Sequence, residues 1–307
     1  MLYLAILMIF LAAAGSPVQT AINTNMGQYV KHPLLATFIS FSVSTILILF
    51  LTLATCHTLV PDAETAAGIP WWGWLGGVMG LVGVTLLVVI FPKLGGVQTV
   101  LLPMLGMTVT SMVIDNLGLF GCERIPFEIK NLAGLAVVIG GLFLYTSGKS
   151  AEQSSGNGGW VYRVLGLVVG VAFAIQPAIN GFMTGRLGSA IFASWLSFLE
   201  SDVLFIILII LIPECRRNAR RIVRADEKRP LWVWTAGLCG AFYVLSYSFF
   251  TPVVGVALVA VIGVLGQLTS STFIDKFGLF RSARKTVAAR QYAALAVVLA
   301  GTVILNL

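Results

Sequence analysis

Ten apolar runs, separated by polar segments, set the fold class of this chain. A run of roughly 18 or more apolar residues is long enough to cross the hydrocarbon core of a bilayer as a helix. Helices and closed barrels are the structures that span membranes, because each backbone polar group must find its partner inside the structure. The runs predict an all-α membrane protein with ten spanning helices, near residues 2–26, 34–55, 72–91, 95–114, 131–148, 161–183, 189–212, 231–250, 255–274 and 290–306.

The composition agrees with a chain that is mostly surrounded by lipid. It is 58% hydrophobic and only 10% charged, whereas soluble domains carry about 25% charged residues. The sequence has no H-E-x-x-H, G-x-S-x-G or P-loop motif, and its four cysteines show no C-x-x-C spacing. We therefore expect no enzymatic activity, no cofactor and no metal site. The first run has no basic segment before it, so we interpret it as part of the fold and not as a signal peptide.

The two halves of the sequence are similar to each other. Gln19-Thr-Ala-Ile-Asn23 matches Gln176-Pro-Ala-Ile-Asn180 at an offset of 157 residues. Ile114-Asp-Asn-Leu-Gly-Leu-Phe120 matches Ile274-Asp-Lys-Phe-Gly-Leu-Phe280 at an offset of 160. A polar stretch rich in Gly and Ser lies between the halves and has the composition of a flexible linker. The pattern predicts a first five-helix repeat over residues 1–148, a linker over 149–160 and a second five-helix repeat over 161–307.

An odd number of helices in each repeat predicts an inverted topology, because the second copy must enter the membrane from the opposite side. With this arrangement, 16 of the Lys and Arg residues lie on one side of the membrane and 3 on the other. The positive-inside rule then places the first side in the cytoplasm and both termini outside. The basic run from Arg216 to Arg224 is also a candidate contact for anionic lipid.

Two carboxylates fall near the middle of the seventh predicted helix, Glu200 and Asp202, and no Lys or Arg occurs at a comparable depth. A charge at bilayer depth costs on the order of a few kcal/mol. A carboxyl group there is therefore expected to stay neutral until a cation approaches, as in a proton-coupling group or a site for a cationic substrate. Glu200 adjoins a polar stripe formed by Ser194, Ser197 and Ser201, so we favour Glu200 as the group that faces a cavity. The alternative is a protonated carboxyl that is hydrogen-bonded to a neighbouring helix.

Amide side chains recur at equivalent positions in the first helix of each repeat. Gln19 and Asn23 share one helix face, as do Gln176 and Asn180. Substrate sites in inverted-repeat transporters lie near the midplane, where the repeats meet. These four residues are therefore candidates for substrate binding, and interhelical hydrogen bonds are the alternative. Weaker candidates of the same kind are Gln98 and Gln267.

Further candidates come from aromatic, proline and aspartate positions. Tyr243 and Tyr247 share a face of the eighth helix and would supply cation–π or hydrogen-bonding walls, or else pack in the core. Asp115 and Asp275 stand at helix ends, where we expect helix capping or a salt bridge. Prolines predict interrupted helices, which are typical of transport sites; they are Pro17, Pro92, Pro103, Pro177 and Pro252.

Four of these elements together resemble the YdcZ-type exporters of the drug/metabolite transporter superfamily, relatives of the small multidrug resistance proteins. They are Gln-x-x-x-Asn in the first helix, Ser40-Phe41, the Pro-x-Trp-x-Trp beginning at Pro70, and Gly266-Gln267 followed by Ile274-Asp275-Lys276-Phe277-Gly278-Leu279. The first copy of the last motif is degraded, with Met107 for Gln and Leu117 for Phe. The resemblance implies ten helices from two fused five-helix units, which export small molecules by alternating access. The essential glutamate of the small multidrug resistance proteins lies in their first helix. Neither equivalent helix here carries a carboxylate, so coupling would fall to Glu200 or Asp202.

Our hypothesis from the sequence is a secondary exporter of small metabolites or cationic drug-like compounds in the bacterial inner membrane. We expect a small-molecule substrate and membrane lipids as its partners, and no nucleic acid. The fused repeats are compatible with a monomer, and the oligomeric state stays open. The alternative is a non-transporting membrane module that interacts with lipid or assists assembly.

Overall fold

The computed structural model describes residues 2–126, 128–146, 159–223, 230–282, 284 and 288–306. These residues contain eleven α-helices and no strand. The helices are α1 (Leu2–Val30), α2 (Pro33–Cys56), α3 (Ala63–Ala67), α4 (Gly76–Leu117), α5 (Ile129–Thr146), α6 (Gly159–Leu187), α7 (Ala190–Leu211), α8 (Pro213–Val223), α9 (Ala236–Val254), α10 (Val256–Phe277) and α11 (Ala289–Asn306). Residues 149–158, most of the predicted linker, lie outside the described residues.

Eight helical segments in the described part of the chain are long and apolar enough to cross a membrane. They are Leu2–Val30, Pro33–Cys56, Trp71–Ile90, Thr99–Leu117, Gly159–Leu187, Ala190–Leu211, Leu231–Val254 and Val256–Phe277. The all-α membrane class is therefore confirmed. The other two predicted spans coincide with α5 and α11, which have 18 residues each, slightly fewer than the ~20 that a crossing usually takes.

The 42-residue helix α4 folds back on itself. A straight helix of that length would be about 63 Å long. However, Gly80 near its start lies against Gln176, and Met107 near its end lies against Gly170, only six positions earlier on α6. Both arms of α4 therefore pack on α6, and the bend lies between the spans Trp71–Ile90 and Thr99–Leu117. The two arms correspond to the two helices that the sequence predicts at 72–91 and 95–114.

The second half repeats this arrangement with two separate helices. α9 and α10 are divided at Gly255, whose φ of 84° and ψ of 160° favour a residue without a side chain. Both helices pack on α1, because Gly240 lies against Gln19 and Gly266 lies against the backbone oxygen of Phe10. The first helix of each half thus packs against a pair of helices from the other half.

Two further helix pairs join the halves through residues at equivalent positions. In the α2–α7 pair, the rings of Phe41 and Phe198 meet edge to face at 5.7 Å between centroids. In the α5–α11 pair, Gly141 lies against Val298, and Gly301 lies in the same way against Val138. Glycine at both positions lets the two helix backbones approach closely.

The prolines interrupt the helices less than the sequence predicts. α1 continues through Pro17, and α6 continues through Pro177. Pro103 lies within the second arm of α4, so the interruptions expected at these three prolines are wrong. Membrane helices tolerate proline where neighbouring groups compensate for the missing backbone hydrogen bond. Pro252 is different, because α9 ends two residues later.

Candidate functional site

Gln19 of α1 lies where this helix meets α2 and α9. Gln19 is half-buried; its Nε2 donates to Ser40 Oγ at 2.9 Å, and the side chain lies against Gly240. Asn23, one turn later, is also half-buried and makes no side-chain hydrogen bond within the described residues. Gln19 is therefore held between both halves of the chain, and Asn23 keeps its amide available.

The equivalent residues of α6 are more deeply buried. Asn180 is 3% exposed, its Nδ2 donates to Ser197 Oγ at 3.3 Å, and its Oδ1 lies against Gly76. Gln176 is 8% exposed and lies against Gly80. These contacts place Gln19, Gln176 and Asn180 where a helix of one half meets a helix of the other. Their role in substrate binding stays a prediction.

Glu200 lies at the contact between α7 and the beginning of α4. Its Oε2 accepts a hydrogen bond from the backbone N–H of Gly77 at 2.8 Å. Gly77 is the second residue of α4, so the carboxylate caps the positive end of the helix dipole. Ser201 Oγ donates to the Gly77 carbonyl oxygen at 2.9 Å and ties the same turn to α7. The first half has Val43 at the position of Glu200, and Val43 lies against Gly237 at the beginning of α9.

Asp202 faces a different helix. Its Oδ2 accepts a hydrogen bond from Thr45 Oγ1 at 2.7 Å. Its Oδ1 is buried without a partner in the described structure. Neither Asp202 nor Glu200 forms an ion pair with a described residue. The two carboxylates thus point to α2 and α4 respectively, as their spacing of two residues along α7 predicts.

The two tyrosines of α9 lie inside the protein. Their rings stack at 4.0 Å between centroids. Tyr247 is only 2% exposed and belongs to an apolar cluster with Ile9 and Val259. This burial favours a packing role for Tyr247, although its hydroxyl has no partner among the described residues. The binding role predicted for Tyr243 and Tyr247 stays a prediction.

Of the two glutamine candidates in the fourth and ninth predicted helices, the structure describes the side chain of Gln267. Gln267 of α10 is half-buried, and no hydrogen bond joins its side chain to a described residue. The side chain of Gln98 lies outside the part of the chain that the structure describes. The substrate-binding prediction for Gln267 therefore rests on the sequence pattern alone.

Asp115 confirms the expectation of a helix cap. Its two carboxylate oxygens accept hydrogen bonds from the backbone N–H groups of Val256 at 2.9 Å and Ala257 at 2.7 Å. These are the first two residues of α10, directly after the break at Gly255. The end of α4 thereby holds the beginning of α10, which fixes a second contact between the halves.

A cavity of about 690 Å³ lies beside the C-terminal end of α2, and the sequence does not predict it. It is lined by Thr55, Cys56, Thr58, Val60, Pro61, Asp62, Thr65, Arg186, Leu187, Gly188, Ser189 and Phe192. Two segments far apart in the chain form it, and neither carries a motif. The one signal in the sequence is Arg186, a lone cation between two apolar runs.

Comparison with known proteins supports the conclusion that the chain is a membrane protein. A solved crystal structure is similar over 98% of this chain and 94% of its own, with a TM-score of 0.69 and 13% sequence identity. At this identity the likeness shows the fold alone. No curated protein matches the chain. The model of the family described as "Putative inner membrane exporter, YdcZ" matches residues 4–144 and 161–304. These two segments cover nearly the whole chain, which therefore belongs to the YdcZ family of inner membrane exporters.

Proposed function

We propose that the chain is a secondary-active exporter of small metabolites or cationic drug-like compounds, which it exchanges for protons by alternating access. In this proposal ten helices cross the membrane as two inverted five-helix repeats, with both termini outside the cytoplasm. Membership of an exporter family supports the transport class. The position of Glu200 supports the more specific proposal, that the substrate is exchanged for protons.

Glu200 has the properties of a coupling group. It belongs to the second half of the chain but bonds to the first turn of α4, in the first half. It is half-buried in a spanning helix and has no ion-pair partner among the described residues. A carboxylate in that situation gains from any cation that approaches, either a proton or a cationic substrate.

Competition between a proton and a cationic substrate for the Glu200 carboxylate would account for the exchange of one for the other. When Glu200 is charged, the Gly77 N–H and the dipole of α4 stabilise it. Protonation removes most of that attraction and weakens a contact between the two halves. Because a proton and a cationic substrate cannot occupy the carboxylate together, binding of one favours release of the other. The half-buried amides of Gln19 and Asn23 would contact the substrate on its way between the halves.

The test is transport by purified protein in liposomes with an imposed pH gradient. Candidate substrates are quaternary ammonium, guanidinium, amino-acid and sugar compounds. Glu200→Gln keeps an amide oxygen that can accept the Gly77 hydrogen bond, so we expect it to fold normally and lose pH-driven transport. Asp202→Asn is the matched control, since it keeps an acceptor for Thr45 and removes the other carboxylate; we expect it to retain coupling.

Each outcome assigns a role. Unchanged transport that still follows the pH gradient in Glu200→Gln would remove Glu200 from the mechanism. Loss of coupling in Asp202→Asn instead would transfer the role to Asp202. If no compound is transported, and a cysteine introduced at Asn23 stays unlabelled by water-soluble reagents, the chain is a packed module and not a transporter.

A further inference from the structure

α8 is a basic amphipathic helix of 11 residues that directly follows α7. One face carries exposed arginines and the other carries side chains that pack on the protein core. The exposed residues are Arg216, Arg217, Arg220 and Arg221, and the inner ones are Cys215, Ala219 and Ile222. Such a division of polar and apolar residues is typical of helices at a membrane surface.

Contacts with α2 fix which way α8 faces. Cys215 is fully buried, and its Sγ lies 3.4 Å from Nδ1 of His32, the residue that caps α2. Ala219 and Ile222 pack on the apolar cluster that contains Leu34. Rotation of α8 would expose these groups, so the arginines stay on the outer face.

The position of α8 along the chain sets its depth. α7 presents apolar side chains outward up to its last residue, since Ile210 is 58% and Leu211 is 68% exposed. Arg216 follows Leu211 by five residues, of which Ile212 is extended and the others are helical, so the chain covers at most about 10 Å between them. The headgroup layer extends about 5–7 Å beyond the hydrocarbon on each side. With Leu211 at the edge of the hydrocarbon, the long side chains of Arg216 and Arg217 would reach the lipid headgroups.

Within the described part of the chain, no acidic side chain pairs with three of these arginines. Arg216, Arg217 and Arg220 form no ion pair with any residue that the structure describes. Glu214 is the one acidic residue of α8. We propose that α8 binds the phosphate groups of anionic phospholipids, with these three arginines as its contacts. Guanidinium groups suit this ligand because they donate two parallel hydrogen bonds to phosphate oxygens. This site does not depend on transport.

The experiment measures lipid retention by the purified full chain in detergent. Radiolabelled phosphatidylglycerol is bound in competition with phosphatidylcholine, at low salt, to the wild type and to R216Q/R217Q/R220Q. One basic residue near an anionic surface changes affinity about five-fold, so three should change it roughly 100-fold. We expect the wild type to prefer phosphatidylglycerol and the triple variant to lose that preference.

A charge-conserving variant separates electrostatics from a structural role. R216K/R217K/R220K keeps the three positive charges and should keep most of the preference. The preference of the wild type should also fall at high salt, because exposed charges are screened there. If the wild type shows no preference at low salt, or if the lysine variant behaves like the glutamine variant, the proposal is wrong. Either result leaves the proposed transport function untouched.

Discussion

A close contact between α4 and α6 makes a quantitative prediction. Gly170 of α6 lies directly against the second arm of α4. A Cβ atom added at this glycine would lie 2.5 Å from Met107 N and 2.8 Å from the carbonyl carbon of Gly106, and would also press on the Pro103 carbonyl oxygen. Non-bonded carbon atoms prefer about 3.5–4.0 Å, so α4 and α6 would have to separate by about 1 Å. All three neighbours are backbone atoms, which cannot move aside by a side-chain rotation.

The expected cost of Gly170→Ala follows from two opposing terms. Overpacking of this kind typically costs about 1–3 kcal/mol. Alanine recovers up to ~1 kcal/mol, because it is a better helix former than glycine. We therefore expect a net destabilisation of roughly 1–2 kcal/mol. The same separation would also weaken the contact of Gly106 with the Leu167 carbonyl oxygen.

The measurement is the free energy of unfolding in a denaturant titration of purified protein, followed by circular dichroism. Gly185→Ala is the matched control on the same helix, because a Cβ at Gly185 would meet no atom within 4 Å. That variant should be unchanged or slightly more stable. Gly106→Ala removes the same close approach, so the double variant with Gly170→Ala should cost less than the sum of the two. Equal stabilities of the Gly170 and Gly185 variants would show that α6 does not touch this arm of α4.

Three further predictions concern the ends of the helices. Asp115→Ala should lower the free energy of unfolding by about 1–2 kcal/mol, because it removes the cap of α10, while Asp115→Asn keeps one acceptor and should cost less. Hydrogen bonds from Thr65 hold the pKa of Asp62 below its usual range, so the cap of α3 is present at neutral pH and is lost only as the pH falls below about 4; hydrogen exchange at the Thr65 amide should show this loss of protection. A membrane-impermeant maleimide should label Cys56 in intact cells if the proposed orientation is correct. Burial raises the pKa of the Cys122 thiol to about 12, so Cys122 should react slowly. The variant Cys56→Ser should therefore abolish rapid labelling.

Hydropathy predicted the all-α membrane class and the approximate bounds of the eight candidate spans in the described part of the chain, because lipid demands long apolar helices whatever the tertiary structure is. It could not predict that the third and fourth spans form one bent helix, since helical geometry within a bend depends on packing and not on apolarity. The two short helices α3 and α8 were also missed. α8 is too polar for a membrane span, and the positions of its apolar residues are explained only by the core on which they pack.

The repeat carried more tertiary information than hydropathy did. Positions that match between the halves make matching contacts, as with Gln176 against Gly80 and Gln19 against Gly240. A pattern in one dimension predicts such pairs only once the packing of one half is known. The sequence therefore showed that the amide residues recur in both halves, but it did not show which glycines their side chains pack against.

The carboxylates show where reasoning from side chains alone falls short. The sequence has no Lys or Arg at the depth of Glu200, and the structure instead places a backbone N–H at the beginning of α4 beside it. The start of a helix carries about half a positive charge, so it substitutes for a basic residue and leaves no trace in the sequence. The corresponding position at the start of α9 faces Val43. The starts of α4 and α9 are therefore similar, but the first contacts a titratable side chain, Glu200, and the second contacts an apolar one, Val43. In the proposed mechanism, a proton would therefore act on the contact between the halves at Glu200 and not at Val43.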